Sequence, residues 1–202
     1  MVKTITKQIS EIINEPTSEE YLSPDWKMFD TGSCEVECGE FLYGLVRYSK
    51  PERVLETGTY KGIASSYIGL ALKENGHGHL ETIEYENLHF MKAKEKWNKL
   101  EIQDYITGYL IDSRKFEPTG IYDIVLLDTE PQIRFSEFVK IYPFVKNGGF
   151  IIIHDLDENL GRGPSSPWEN FEDKFGSQIK SNELQLIHIY TRRGFTLMQK
   201  YS

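Results

Sequence analysis

An alternation of β-prone runs with segments of helical periodicity limits the possible folds of this chain more than any other feature. The β-prone runs are Arg53–Glu56, Leu80–Glu84, Tyr105–Leu110, Tyr122–Asp128 and Phe150–Asp155, the last preceded by a predicted turn at Gly148-Gly149. Helical spacing is seen from Ile63 to Leu72, from about Phe135 to Phe144, and in a helix carrying Phe90, Met91, Ala93 and Trp97 on one side. Because parallel strands need crossover connections, the alternation predicts a mostly parallel sheet with helices on both faces.

The end of the chain departs from this alternation. Two β-prone runs, Leu184–Tyr190 and Phe195–Lys200, are separated only by the short segment Thr191–Gly194, which predicts an antiparallel hairpin. We therefore predict an α/β fold, namely a Rossmann-like, doubly wound, mostly parallel seven-stranded sheet that ends in an antiparallel hairpin. Ligands of such sheets bind at the carboxyl ends of the strands.

Length and charge limit the organisation and the partners of the chain. Its 202 residues suit a single domain, 1–202, in which 1–48 would form an N-terminal lid and 49–202 the Rossmann-like core. A net charge of −8 argues against nucleic acid, which is bound by clustered Lys and Arg side chains. No apolar run approaches the roughly 20 residues of a membrane helix, and no signal-peptide core is seen. We expect no membrane partner and a cytoplasmic location.

The most informative motif follows the first predicted strand and reads Glu56-Thr57-Gly58-Thr59-Tyr60-Lys61-Gly62. Its two glycines allow a tight turn and a close approach of backbone N–H groups to a ligand. A dinucleotide-binding fingerprint needs a third glycine, which this motif lacks. The carboxylate of Glu56 would repel a pyrophosphate and favour the ammonium and sulfonium groups of S-adenosylmethionine.

An acidic residue at the end of the second predicted strand is the second signal. Glu84 closes the run Leu80–Glu84, and a carboxylate there can accept hydrogen bonds from both hydroxyls of a ribose. Glu86 competes for the same role two residues later. With the glycine motif, this residue indicates S-adenosylmethionine as the cofactor.

These stretches resemble the class I S-adenosylmethionine-dependent methyltransferases, most closely the small O-methyltransferase-like group that includes the catechol and caffeoyl-coenzyme A enzymes. The resemblance runs from about Cys38 to Asp155 and includes Val54–Thr59, Thr82–Glu84, Tyr122–Asp128 and Gly148–Asp155. It implies methyl transfer to a small-molecule acceptor, at a hydroxyl oxygen. It also implies a role for each residue of the cofactor site. Gly58, Tyr60 and Gly62 would contact the methionine part, within a motif that includes Glu56 and Thr59. Glu84 would contact the ribose, Asp112 and Ser113 the adenine edge, and Asp128 would face the reacting centre.

Two positions depart from the metal-dependent members of that group. Those enzymes carry an aspartate-asparagine pair after the fifth strand, where this chain has His154 and Asp155, and a base lysine at the position of Pro131. Because strands four and five are neighbours in this fold, Asp128, His154 and Asp155 should form one catalytic cluster. We predict that the cluster holds no metal and that His154 is the general base, oriented by Asp155 or Asp128. A divalent ion bound by the same three residues is the alternative.

The acceptor and other function classes stay open at this point. The segments outside the shared core, including the loop Leu156–Trp168, are expected to form the acceptor pocket, lined by Tyr21, Trp26, Phe29 and Trp168. A catalytically silent S-adenosylmethionine-binding or interaction protein is the first alternative, and a nicotinamide-dependent oxidoreductase is the second. A homodimer is compatible with the sequence.

Overall fold

A computed structural model describes residues 4–13, 26–30, 32–155, 175–189 and 193–201. Its helices are α1 (Ile5–Ile13), α2 (Val36–Ser49), α3 (Ile63–Asn75), α4 (Asn87–Lys99) and α5 (Pro131–Ile141). Its strands are β1 (Arg53–Thr57), β2 (His79–Glu84), β3 (Ile106–Leu110), β4 (Tyr122–Leu127), β5 (Val145–His154), β6 (Leu184–Ile189) and β7 (Phe195–Lys200). Short 3-10 helices lie at Gln103–Tyr105, Ser113–Lys115 and Tyr142–Phe144.

The predicted fold class is confirmed. The seven strands form one sheet in the order β3-β2-β1-β4-β5-β7-β6. Three pairs of strands are parallel, namely β2 with β3, β1 with β4, and β4 with β5. Strand β7 runs antiparallel to both β5 and β6. The antiparallel pair at the end of the chain is the hairpin expected from its sequence.

The chain divides into two compact units, and the first comprises Met1–Glu52 and Thr59–Asp112. Helix α3 is buried along almost its whole length, from Ile63 to Leu72. Helix α2 buries Leu42 and Val46, and Gly39 lies directly against the ring of Tyr67, where a β-carbon would not fit. The glycine therefore allows α2 to pack closely on α3.

The second unit comprises Arg53–Gly58 and Ser113–Ser202. Its core is formed by the buried residues of β1, β4 and β5, together with Phe138 of α5 and Phe195 of β7. Strand β4 is buried on both faces from Ile124 to Leu127, which explains its continuous apolar run. This unit brings together the carboxyl ends of β1, β4 and β5.

Three expectations about the elements were wrong in detail. Helix α5 begins at Pro131 rather than near Phe135, since a proline is well suited to the first helical position. Gly148 and Gly149 lie inside β5, where the pairing with β4 shifts register, rather than in a turn before it. Met91 is 60% exposed, because α4 buries Ala93 and Trp97 and a residue two positions from Ala93 points away from that face.

No helix in the part of the chain that the structure describes has the length and apolar character of a membrane span. The expectations of a single domain and of a cytoplasmic location stay predictions.

Candidate functional site

In the first unit, the residues after the glycine turn are held against the end of β2. The Thr59 backbone N–H donates to the Ile83 carbonyl oxygen at 3.0 Å, and the Thr59 and Thr82 hydroxyls are hydrogen-bonded. The Tyr60 N–H donates to Glu84 Oε2 at 2.7 Å, and Tyr60 has a left-handed backbone with φ 48°. Two of the segments that the sequence assigns to the cofactor are thus joined directly.

Glu84, the predicted ribose ligand, also fixes the start of α4. Its Oε1 accepts the backbone N–H groups of Tyr85 and Glu86, at 2.9 and 2.8 Å. A carboxylate has about four acceptor positions, so the three N–H groups leave roughly one for a ligand. The competing acid, Glu86, instead pairs with His89 at 3.0 Å.

Gly62, the second glycine of the motif, has a packing role that the sequence did not reveal. It caps α3 with φ +82°, and a β-carbon there would lie 2.8 Å from the Ala93 β-carbon. Only glycine combines that backbone conformation with so close an approach of α3 and α4. A contact of Gly62 with the cofactor stays a prediction.

In the second unit, the ends of β1 and β4 are in direct contact. The Asp128 N–H donates to the Thr57 carbonyl oxygen at 2.9 Å, and a β-carbon on Gly58 would overlap the Asp128 carbonyl. Gly58 also has φ +87°, a conformation that L side chains rarely adopt. The first glycine of the motif is therefore required by the packing of two strand ends, whatever ligand approaches it.

The remaining predicted cofactor residues occupy strand ends or the turns beside them. Glu56 lies on β1 and is fully buried. Asp112 follows β3 and is partly exposed, and Ser113 begins the 3-10 helix Ser113–Lys115. The positions suit the predicted contacts, which stay predictions.

The predicted cluster at the ends of β4 and β5 is formed. His154 Nδ1 lies 3.0 Å from Asp128 Oδ1 and 3.5 Å from Asp155 Oδ1. The His154 side chain is 1% exposed, whereas that of Asp128 is 13% exposed. Asp128 is therefore the member of the hydrogen-bonded pair that solvent, or an acceptor, meets first.

Asp155 is held by two buried arginines. Arg193, in the segment before β7, places Nε 2.5 Å from Oδ1 and Nη2 2.7 Å from Oδ2. Arg134, on α5, places Nη2 3.3 Å from Oδ2. Burial alone would raise the pKa of Asp155, but the positive charges of His154, Arg193 and Arg134 hold it well below its usual range. Asp155 is thus an ionised carboxylate whose role is to compensate buried cations.

Arg134 ties the cluster to the backbone around it. Its guanidinium donates to the carbonyl oxygens of His154 and Thr129 and lies 3.5 Å from Asp128 Oδ1. Sequence reasoning missed both arginines. The signal for Arg134 was its spacing of four residues from Phe138 and seven from Ile141, which places a charged residue on the buried face of a helix.

The same three cluster residues were the alternative metal site, and their donor atoms lie within 4.8 Å of one another. Both carboxylate oxygens of Asp155 already face guanidinium groups. A divalent cation would have to displace these contacts and would lie beside two buried positive charges. The donor set therefore does not suit a divalent ion.

Part of the predicted acceptor pocket lies outside the described residues, namely Tyr21 and the loop Leu156–Trp168 with Trp168 itself. Trp26 and Phe29 are described, and both are partly exposed in a segment without helix. The lining of an acceptor pocket stays a prediction.

Comparison with solved structures shows the fold. The O-methyltransferase TomG of Streptomyces achromogenes, solved with S-adenosylmethionine, is 17% identical, with a TM-score of 0.72 over 100% of this chain and 92% of its own. The methyltransferase PaMTH1 of Podospora anserina, solved with S-adenosylhomocysteine, is 16% identical, with a TM-score of 0.74 over 100% and 89%. An O-methyltransferase of Bacillus cereus, solved with S-adenosylhomocysteine, is 16% identical, with a TM-score of 0.71 over 99% and 92%.

Comparison of the sequence with protein families gives the family. No curated protein matches the chain. A family model described as a methyltransferase domain matches residues 55–156, which include the glycine motif, Glu84, Asp128, His154 and Asp155. The match covers half of the chain and every residue of the cluster, and the chain therefore belongs to this methyltransferase family.

Proposed function

We propose that this protein transfers the methyl group of S-adenosylmethionine to the hydroxyl of a small-molecule acceptor, without a metal ion. The observation that carries the proposal is the Asp128–His154 pair, with its 3.0 Å hydrogen bond at the meeting ends of β4 and β5. Family membership supports the transferase activity, and the cofactors solved with the structural neighbours support S-adenosylmethionine.

The cofactor would be held by the predicted residues at the ends of β1, β2 and β3. Backbone groups of Gly58, Thr59 and Tyr60 would approach the methionine part, and the remaining acceptor position of Glu84 would bind the ribose. Asp112 and Ser113 would meet the adenine. When bound, the sulfonium supplies a methyl group that leaves sulfur as the acceptor oxygen forms its new C–O bond.

The Asp128–His154 pair would accept the proton that the hydroxyl loses. The sequence predicts His154 as the base, with its ring oriented by Asp155 or Asp128. With Nδ1 at 3.0 Å from Asp128 Oδ1, Nδ1–H would donate to Asp128 and the lone pair would lie on Nε2. The exposed fractions of 13% and 1% favour an acceptor that approaches from the Asp128 side. We therefore assign Asp128 the first hydrogen bond to the acceptor hydroxyl and the proton that this hydroxyl loses, while the Nδ1–H of His154 donates to that carboxylate and orients it.

Asp155, Arg134 and Arg193 would keep the pair in place rather than touch the acceptor. Their contacts hold the backbone carbonyl of His154 and the side chain of Asp155 that follows it, and this pre-organisation is what alignment of two reactants requires. The guanidinium contacts at Asp155 also support the metal-free form of the reaction. A chelator should therefore leave the activity unchanged.

The test is formation of S-adenosylhomocysteine from S-adenosylmethionine with a panel of phenols, catechols and hydroxy acids, followed by mass spectrometry. With an active acceptor, Asp128→Asn and His154→Gln should each lower kcat at least about a hundredfold, the usual scale of acid–base assistance. The exposed Glu117→Ala is the matched control and should keep wild-type turnover.

Other outcomes separate the alternatives. Turnover that survives in Asp128→Asn but not in His154→Gln would show that His154, rather than Asp128, is the general base. Activity lost in EDTA and restored by a divalent ion would overturn the metal-free assignment. Tight binding of S-adenosylhomocysteine without turnover on any acceptor would favour the catalytically silent protein.

A further inference from the structure

Glu137 is a buried carboxyl group that the proposed reaction does not use. It lies on α5, on the same buried face as Arg134, Phe138 and Ile141, and is 2% exposed. Acidic side chains are rarely buried so completely unless they have a specific set of partners. Its surroundings therefore indicate what it does.

The partners of Glu137 are hydroxyl groups from separate strand ends. Its Oε2 accepts from Thr57 Oγ1 at 3.3 Å and from Thr129 Oγ1 at 2.5 Å, and Ser113 contributes a further side-chain hydrogen bond. Thr57 ends β1, Thr129 follows β4, and Ser113 begins the 3-10 helix after β3. One carboxyl group thus joins three segments that are far apart in the sequence.

The energetics argue against a role in stability alone. Burial raises the pKa of Glu137 and outweighs the lowering by hydrogen bonds from Ser113, Thr129 and Thr57 and by the charge of Arg134. In the described part of the chain, its other oxygen, Oε1, has no hydrogen-bond partner. A well-packed apolar residue would serve the core without these costs.

The hydroxyl partners stand beside residues that the proposed function assigns to the site. Thr57 precedes Gly58, Thr129 follows Asp128, and Ser113 is itself the predicted adenine contact. We infer that Glu137 is a positioning residue for S-adenosylmethionine, which acts by fixing these three hydroxyls and with them the strand ends that bind the cofactor. The inference rests on the proposed function.

The test is calorimetric titration of S-adenosylhomocysteine into the folded protein and its variants. Glu137→Ala should weaken binding about tenfold, because the buried hydroxyl of Thr57 and the half-buried hydroxyls of Thr129 and Ser113 lose their acceptor. Glu137→Gln keeps one acceptor oxygen and should recover most of that loss. Thr129→Val should weaken binding by less and add nothing in the Glu137→Ala background, since both changes break the same contact.

The control is Ile141→Val, which truncates a core residue on the same helix and should leave the affinity unchanged. Wild-type affinity in folded Glu137→Ala and Glu137→Gln would overturn the inference and leave the proposed function intact. Additive effects of Glu137→Ala and Thr129→Val would do the same. If Glu137→Ala does not fold, Thr129→Val decides by itself, and wild-type affinity in that folded variant would overturn the inference. Absence of binding by the wild-type protein would reject the proposed function and this inference with it.

Discussion

Asp155 provides the sharpest test of the buried charge network. Its side chain is 4% exposed and lies between Arg193 and Arg134, at 2.7 and 3.3 Å from Oδ2. Asp155→Asn is the appropriate change, because φ is +61° and asparagine adopts this left-handed conformation more readily than other non-glycine residues. The variant therefore removes the charge while the backbone conformation is retained.

The expected loss of stability is large, since both arginines would remain buried without their counter-charge. Removing one partner of a buried ion pair costs about 3–5 kcal/mol. For a chain of this size, that loss lowers the melting temperature by roughly 6–20 °C. Urea denaturation and calorimetry would measure the two quantities. The matched control is Glu117→Ala, which breaks an exposed pair with Lys140 and should cost less than about 1 kcal/mol.

The pH dependence of this loss has a defined sign. Because the pKa of Asp155 is lower in the folded protein than its ordinary value of 3.8, its stabilising effect is complete above that value. Ionisation of Asp155 itself leaves the difference between wild type and Asp155→Asn unchanged above about pH 5, and the difference should shrink as the pH falls below 3.8. A loss under about 1 kcal/mol at pH 7, the scale of an exposed pair, would refute the buried network.

Three further changes test other contacts. Gly58→Ala should cost more than about 1 kcal/mol in urea denaturation, because its β-carbon would overlap the Asp128 carbonyl at φ +87°, and an unchanged midpoint would contradict this contact. Glu84→Gln should weaken S-adenosylhomocysteine binding about tenfold in calorimetry, whereas Glu86→Gln should not, and the opposite ranking would make Glu86 the ribose ligand. The pKa of Glu137 is raised in the fold, so its ionisation destabilises the folded state. Glu137→Gln should therefore be more stable than wild type, by a margin that grows as the pH rises above 4.5. A difference in melting temperature that is independent of pH would contradict that shift.

The sequence predicted β4 and the terminal hairpin well, because the first is a nearly continuous apolar run and the second is two β-prone runs with only a short segment between them. The β4 run Tyr122–Leu127 and the hairpin of β6 and β7 were placed to within a residue or two. The cluster of Asp128 and His154 was also predictable, since parallel strands end at the same edge of a sheet. Topology alone was enough to bring these side chains together.

The network around that cluster was not predicted, because its members carry no local signal of burial. Arg193 lies in a turn segment, where a charged residue normally indicates solvent exposure, yet it is 7% exposed. Arg134 and Glu137 share a helical face with Phe138, but a charged residue within such a pattern is usually taken as an interruption of the apolar face. Their partners come from distant strand ends, which spacing along the chain does not show.

Binding of the cofactor tests the central claim most directly. Titration calorimetry of the wild-type protein with S-adenosylmethionine, S-adenosylhomocysteine and NAD requires no knowledge of the acceptor. The account predicts one molecule of S-adenosylmethionine or of S-adenosylhomocysteine bound per chain and no binding of NAD, because the glycine motif lacks the third glycine of a dinucleotide site. Binding of NAD, or the absence of binding by both sulfur compounds, would contradict it.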